Sequence, residues 1–240
     1  MAFDKTAWMM AEMGDQETAA FCQRQVQRLK RIVPSPNGSK QAAALLALSG
    51  LANAKEMNTR VIAPGGGYGY STFLGFAILA AKGEAGDTEG ALADMRQYWG
   101  AMLDLGATTF WEDFHLDWMK NAGRIDELPC PGKRDVHGER GGYCYEKLRH
   151  SLCHAWASGP APFLMQYVLG VKFLSPGGER ILLQPSLGDL AWAEGDYPTP
   201  KGLLHVRLDR KGREMQVCFQ APDGVEVTLT SREGNASFAK

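Results

Sequence analysis

The hydrophobic positions in the first two thirds of the chain recur at helical spacing. One apolar stripe follows the order i, i+4, i+7, i+11, on Cys22, Val26, Leu29 and Val33. Asp15, upstream of this stripe, is a suitable N-cap. The proline-rich segment 34–38 ends the helix, because proline lacks an amide donor and restricts the residue before it.

Further apolar segments predict more helices over residues 41–52, 72–81 and 161–169, with Gly170 ending the last one. Asp87 caps a longer helix whose inward stripe is formed by Leu92, Met95, Trp99 and Met102. Helices of this length, joined by short polar turns, predict stacked antiparallel pairs.

The hydrophobic period changes to two after residues 175–178. Strands are predicted at four places, which are residues 180–184, 203–209, 214–220 and 225–230. Hairpin turns are predicted at 210–213 and 222–224. His205 and Arg207 alternate with apolar residues, so one face of that strand points outward. We therefore predict a helical part over residues 1–172 and a small antiparallel β-domain over 173–240.

Composition and charge narrow the classes of partner. The net charge is −1, with 26 basic and 27 acidic residues, so there is no basic excess for nucleic-acid binding. No apolar run approaches the roughly 20 residues that span a bilayer. We therefore expect neither nucleic acid nor membrane as a partner. The five cysteines are odd in number and irregularly spaced, and the N-terminus lacks a signal-peptide pattern. Both features slightly favour a cytoplasmic location, although the compartment stays open.

The segment 107–145 has no sustained period and holds the first chemical candidate. Glu112 and Asp113 are adjacent carboxylates between the aromatic residues Trp111 and Phe114. Glycoside hydrolysis uses a carboxylic acid to protonate the leaving oxygen and a carboxylate to activate water. Aromatic rings stack on the apolar faces of sugars. The alternative is an exposed acidic pair in a loop that aromatic residues anchor.

The second candidate is the segment 149–160. His154 and Trp156 precede a predicted helix, and His154 can donate a hydrogen bond to a substrate hydroxyl or to a carboxylate. The alternative is an ordinary histidine at a helix start. A nucleophilic pair of Cys153 and His154 is disfavoured, since adjacent side chains rarely face each other.

Two further patterns in the sequence are compared with a metal site and with a phosphate-binding loop. Cysteine and histidine cluster in one region, on Cys130, His137, Cys144, His150, Cys153 and His154. Their spacing does not follow the knuckles of structural zinc sites, so no metal is expected. The glycine-rich loop at 65–69 lacks the Lys-Ser/Thr pair of a phosphate cradle, so no nucleotide and no other cofactor is expected.

These segments resemble a known family. Residues 97–114, which end in Phe-Trp-Glu-Asp-Phe, are similar to the segment of bacterial α-L-rhamnosidases that carries their general base. Residues 150–156 resemble the downstream segment whose histidine contacts rhamnose. Residues 185–190 and 195–202 resemble the opening of that family's C-terminal β-sandwich. The resemblance extends over residues 19–227.

The resemblance implies an (α/α)6 barrel of six helical hairpins followed by a small β-sandwich. It implies an inverting glycoside hydrolase that cleaves terminal α-L-rhamnosyl linkages, with a carbohydrate as substrate. Glu112 is then the general base, His154 binds sugar hydroxyls, and Trp111 and Trp156 line the pocket.

The family's general acid lies in an acidic segment of the first half of the barrel, and no segment of this sequence resembles it. Asp113 is not assigned that role. We therefore expect a partial barrel that carries the general-base half and is weakly active or inactive alone. Its open half exposes apolar surface, which predicts a homo-oligomer or a complementing chain. Three alternatives stay open: a related glycosidase for another sugar, a non-catalytic sugar-binding or interaction module, and a zinc protein.

Overall fold

The computed structural model describes residues 1–136 and 151–231, together with the backbone of 236–238. Its helices are α1 (Ala2–Glu12), α2 (Gln16–Leu29), α3 (Lys40–Leu48), α4 (Ala54–Met57), α5 (Gly75–Ala85), α6 (Thr88–Asp104) and α7 (Pro160–Phe163). Two π-helical turns, Asn58–Ile62 and Leu164–Val168, continue α4 and α7. Short 3-10 turns cover Leu116–Met119, Ala155–Ala157 and Pro176–Gly178.

The two predicted N-caps are confirmed. The carboxylate of Asp15 accepts a hydrogen bond from the amide of Thr18 at 3.0 Å, and that of Asp87 accepts one from Gly90 at 3.0 Å. Helix α2 ends at Leu29, before the predicted Val33. Helix α5 begins at Gly75 instead of 72, because residues before it turn toward the loop that follows α6. Helix α1 was not predicted.

Helices α3, α5 and α6 pack around the main hydrophobic core. Inside it, the ammonium of Lys82 lies 2.7 Å from the carboxylate of Asp94 and 3.4 Å from that of Asp87. Asp94 also accepts a hydrogen bond from the hydroxyl of Tyr70 at 2.8 Å. Burial, with the charge of Asp94, raises the pKa of Tyr70 far above its usual value. The Tyr70 hydroxyl therefore stays protonated and acts as a donor.

The β-part contains β1 (Val171–Phe173), β2 (Arg180–Leu183), β3 (Trp192–Thr199), β4 (Gly202–Lys211), β5 (Glu214–Gln220), β6 (Glu226–Leu229) and β7 (Ala236–Phe238). They form one sheet in the order β1-β2-β6 and another in the order β3-β4-β5-β7. Strands β2 and β6 pair in parallel, as do β5 and β7, and the other pairs are antiparallel. The inward side chains of both sheets form a second core that includes Ile181, Leu183, Leu204, Val206, Leu208 and Val217.

The helical and β-parts are joined by close contacts. Gly170 has φ +82°, and a Cβ at this position would lie 2.2 Å from the carbonyl carbon of Gln184. The guanidinium of Arg96 on α6 binds both carboxylate oxygens of Asp189, at 2.7 and 3.0 Å. The helices and the β-sheets are thus held against each other. The predicted division after residue 172 stays a prediction.

Helices α1 and α2 pack against each other and leave large apolar side chains exposed. These include Trp8, Met9, Met13, Phe21 and Leu29. In the part of the chain that the structure describes, each helix is too short or too polar to cross a bilayer.

Candidate functional site

Two loops that are distant in sequence meet beside the C-terminal end of α6. The amide of Glu112 donates to the carbonyl of Ser151 at 2.8 Å, and the amide of His154 donates to the carbonyl of Phe110 at 2.8 Å. The hydroxyl of Thr109 binds the carbonyl of Leu152. The structure therefore brings together the two segments that the sequence analysis identified as chemical candidates.

Glu112 is half-buried and held at its backbone and at its side chain. Its Oε2 accepts a hydrogen bond from the amide of Ser151 at 2.8 Å. Its carbonyl accepts from the indole Nε1 of Trp156 at 3.0 Å and from the hydroxyl of Thr72. Among the residues that the structure describes, Oε1 has no hydrogen-bond partner. One carboxylate oxygen thus sets the orientation of the side chain.

Exposed aromatic rings lie next to the backbone of Glu112, whose carbonyl is bound by the indole of Trp156. The ring of Trp156 is 45% exposed, and the His154 ring meets it edge to face, with centroids 4.1 Å apart at 82°. The exposed ring of Phe73 lies 5.1 Å from that of Trp156. Together Phe73, His154 and Trp156 form an aromatic platform beside Glu112, which suits the apolar face of a sugar ring.

Trp111 occupies a different place from the other predicted site residues. Its relative exposure is 0%, and its ring packs edge to face on Phe114 at 5.9 Å. A ring without exposed surface cannot touch a ligand in this structure. The structure therefore does not support the predicted pocket-lining role of Trp111, which instead holds the Glu112 segment from inside the core.

Helix α6 supplies the floor of the site. The hydroxyl of Tyr98 donates to the carbonyl of Phe114 at 2.6 Å, and the indole of Trp99 donates to the carbonyl of Ala157 at 2.9 Å. Both rings pack on Tyr70, which is bound to the buried ion cluster. Neighbouring residues of one helix therefore fix both loops of the site.

Sequence reasoning missed Thr72, Phe73 and Ser151. Thr72 and Phe73 begin an apolar segment and were interpreted as part of a core helix. Ser151 acts through its backbone amide, which leaves no signal in the residue type.

The remaining candidates lie elsewhere or have other partners. The glycine-rich loop is tied to its neighbours, since the amide of Gly67 donates to Gln97 Oε1 at 2.7 Å and Lys40 donates to the carbonyl of Gly66 at 2.5 Å. Of the six Cys and His residues weighed for a metal site, His137, Cys144 and His150 lie outside the described residues. Within the described ranges no three side chains of His, Cys, Asp or Glu converge in a way that holds a metal ion.

Comparisons with known proteins point to one group of enzymes. Residues 170–237 match the family model of the bacterial alpha-L-rhamnosidase C-terminal domain. Over its whole length the chain aligns with a GH78 family rhamnosidase of Bacillus sp. GL1, with a TM-score of 0.72 and 23% identity, covering 100% of this chain and 26% of that one.

Two further solved structures agree. The alpha-L-rhamnosidase of Aspergillus terreus gives a TM-score of 0.71 at 17% identity, covering 95% of this chain and 26% of that one. The alpha-L-rhamnosidase of Streptomyces avermitilis, complexed with L-rhamnose, gives 0.69 at 17% identity, covering 95% and 22%. A search of curated proteins finds no match.

The fold that these comparisons define is a helical barrel portion followed by a β-sandwich, and the predicted fold class is confirmed. The predicted resemblance to bacterial α-L-rhamnosidases is likewise confirmed, by the family model over the sandwich and by the fold over the whole chain. The chain spans about a quarter of the length of the solved structures it matches.

Proposed function

We propose that this chain belongs to an inverting glycoside hydrolase that cleaves terminal α-L-rhamnosyl linkages, with Glu112 as its general base. One observation carries the proposal. The carboxylate of Glu112 is oriented through Oε2 by the amide of Ser151, and the backbone carbonyl of Glu112 is bound by the indole of the exposed Trp156. This arrangement suits a base that acts on a water molecule next to a stacked sugar.

In the proposed reaction, Glu112 Oε1 takes a proton from water as the water oxygen attacks the anomeric carbon. The glycosidic bond breaks on the opposite face of the sugar, and the leaving oxygen takes a proton from a general acid. The configuration at the anomeric carbon inverts, which requires two carboxyl groups roughly 6.5–9.5 Å apart. His154 donates to sugar hydroxyls, and the rings of Trp156 and Phe73 stack on the sugar's C–H face.

We assign the general acid to no residue of this chain. Asp113 adjoins Glu112 in sequence, and successive side chains diverge, so it is a poor partner for a shared substrate. We therefore expect the chain by itself to bind the sugar and to hydrolyse ordinary rhamnosides slowly or not at all. A non-catalytic sugar-binding protein is the second candidate, because the aromatic platform serves binding without chemistry.

An activated substrate separates these two candidates. The 2,4-dinitrophenolate group leaves without protonation, so a 2,4-dinitrophenyl α-L-rhamnoside needs only the base. We expect slow release of dinitrophenolate by the chain and its loss in Glu112→Gln. Asp113→Asn, the matched control at the neighbouring carboxylate, retains the rate. No release above the uncatalysed rate, or equal release by Glu112→Gln, would contradict the general-base assignment.

Calorimetric titration with L-rhamnose tests the binding part. His154→Ala removes one hydrogen bond, worth about 1 kcal/mol, so the dissociation constant should rise about fivefold. Glu112→Gln keeps the shape of the site and should bind with similar affinity. Unchanged affinity in both His154→Ala and Trp156→Ala would place the sugar elsewhere.

A further inference from the structure

The outer face of the sheet β3-β4-β5-β7 carries an exposed tryptophan within a row of charged residues. Alternation along β3 places Trp192, Glu194 and Asp196 on this face. The antiparallel register with β4 sets Trp192 opposite Asp209, and Glu194 opposite Arg207.

The ring of Trp192 is 56% exposed, yet it is held in place from one side. The guanidinium of Arg207 lies 4.8 Å from the ring centroid. Arg207 in turn donates to Asp209 at 2.9 and 2.8 Å and to Glu194 at 2.6 Å. A planar cation fixed by two carboxylates therefore backs the indole, in the arrangement of a cation–π contact. The indole of Trp192 is thus exposed to solvent and anchored by Arg207.

Trp192 also borders a groove between the β-part and the last helical turns. The groove has a volume of about 410 Å³, and its lining is mostly aliphatic, with Leu164, Met165, Leu169 and Leu190 among its residues. Glu194 lies at its rim. The volume falls within the range of roughly 300–1,000 Å³ that is usual for small-molecule sites. An aromatic wall, an aliphatic floor and a carboxylate rim thus meet at one place.

We infer that this groove is a second carbohydrate-binding site, which takes a 6-deoxyhexose unit of the glycan. The choice of sugar rests on the proposed function. The C–H face of the ring stacks on Trp192, and the C6 methyl group enters the aliphatic floor. Glu194 accepts from Arg207 and lies 3.4 Å from Nε2 of His205, so ring hydroxyls donate to the remaining lone pairs of its carboxylate and accept from the outer N–H groups of Arg207. The ion pairs with Asp209 and Glu194 explain the position of Arg207. They do not explain why the indole of Trp192 stays exposed beside an apolar groove.

A second site on the β-part allows the protein to bind one glycan at two places. A glycan that carries several deoxysugar units is held by one site while another unit reaches the Glu112 site. The effective concentration of the glycan at the Glu112 site then exceeds its concentration in solution.

The test uses the indole N–H resonances of the six tryptophans in the intact chain. Titration with L-rhamnose, followed by NMR, should shift the Trp192 resonance with saturation, the resonance being assigned with Trp192→Phe. Trp192→Ala, which removes this reporter, should weaken binding at this site about tenfold, as followed by the methyl resonance of Met165 in the groove lining. Leu203→Ala, which removes an apolar side chain of similar exposure (60%) on β4 outside the groove, is the matched control and should change nothing.

L-mannose, which has a hydroxymethyl group in place of the C6 methyl, should bind this groove several-fold more weakly. Equal affinity for the two sugars at Trp192, or an unshifted Trp192 resonance, would overturn the inference. The Trp156 resonance reports separately on the Glu112 site. A shift at Trp156 alone overturns this inference and leaves the proposed function standing, whereas a shift at Trp192 alone supports it and contradicts the proposed function.

Discussion

Replacing Asp94 by alanine tests the buried ion cluster beneath the candidate site. The side chain of Lys82 is buried, with the residue only 2% exposed, and Asp94 is 4% exposed. Their charged atoms are 2.7 Å apart, and Asp94 also accepts the hydroxyl of Tyr70 at 2.8 Å. In Asp94→Ala the ammonium loses its nearer carboxylate and keeps that of Asp87, at 3.4 Å, while the Tyr70 hydroxyl loses the acceptor Asp94.

Removing one partner of a buried ion pair costs about 3–5 kcal/mol. A buried hydroxyl without an acceptor costs about 1–3 kcal/mol. The two costs share one carboxylate and are not additive, so we expect Asp94→Ala to lower the free energy of unfolding by about 4 kcal/mol. That is a large share of the roughly 5–15 kcal/mol of a typical domain. The double variant Lys82→Met with Asp94→Leu removes both charges and should be within about 2 kcal/mol of the parent chain.

Urea unfolding followed by circular dichroism at pH 7 measures these differences. The matched control is Glu56→Ala, which breaks an exposed ion pair with Arg60 and should leave the midpoint unchanged. A loss below about 1 kcal/mol in Asp94→Ala would refute the argument. So would a double variant as unstable as Asp94→Ala, because the cost would then not come from the stranded ammonium.

Three further predictions concern the site, the junction and association. Trp156→Phe keeps a stacking ring but removes the donor to the Glu112 carbonyl, so dinitrophenolate release should fall about fivefold while L-rhamnose affinity changes less. The hydrogen bond from Arg96 lowers the pKa of Asp189 below 3.8, its usual value. Asp189→Asn should therefore lower the free energy of unfolding at neutral pH. In urea unfolding, the difference in this free energy between the variant and the parent should vanish as the pH falls through the lowered pKa of Asp189. We also propose that the apolar face of α1 and α2 is covered by a second copy or a complementing chain, and a monodisperse monomer in light scattering would contradict this.

Much of the fold was predictable because its signals are local. Asp15 and Asp87 cap helices where their side chains reach the next turn, and the alternation in β4 buries Leu204, Val206 and Leu208 as expected. The sequence did not predict strand β3. It is an edge strand with few apolar residues, and it includes Gly195 and Pro198, which are unfavourable inside a strand. Its pairing with β4 decides its conformation, and that pairing is not a local property.

The candidate site was predictable only in part. Glu112, His154 and Trp156 carry side chains whose chemistry is visible in the sequence. The contacts that orient Glu112 come from Thr72 and Ser151, which are 40 and 39 residues away, and Ser151 contributes a backbone amide. The family resemblance implied that Trp111 lines the pocket beside Glu112. Adjacent side chains diverge, however, and the ring of Trp111 lies in the core.

A crystal structure of the chain with L-rhamnose tests the central claim most directly. We expect the sugar to stack on Trp156, with a hydroxyl within hydrogen-bond distance of His154. The anomeric carbon should face Glu112 Oε1 across a gap that holds one water molecule. A sugar bound away from these residues, or a Glu112 carboxylate that has left the Ser151 amide and turned into solvent, would contradict the account.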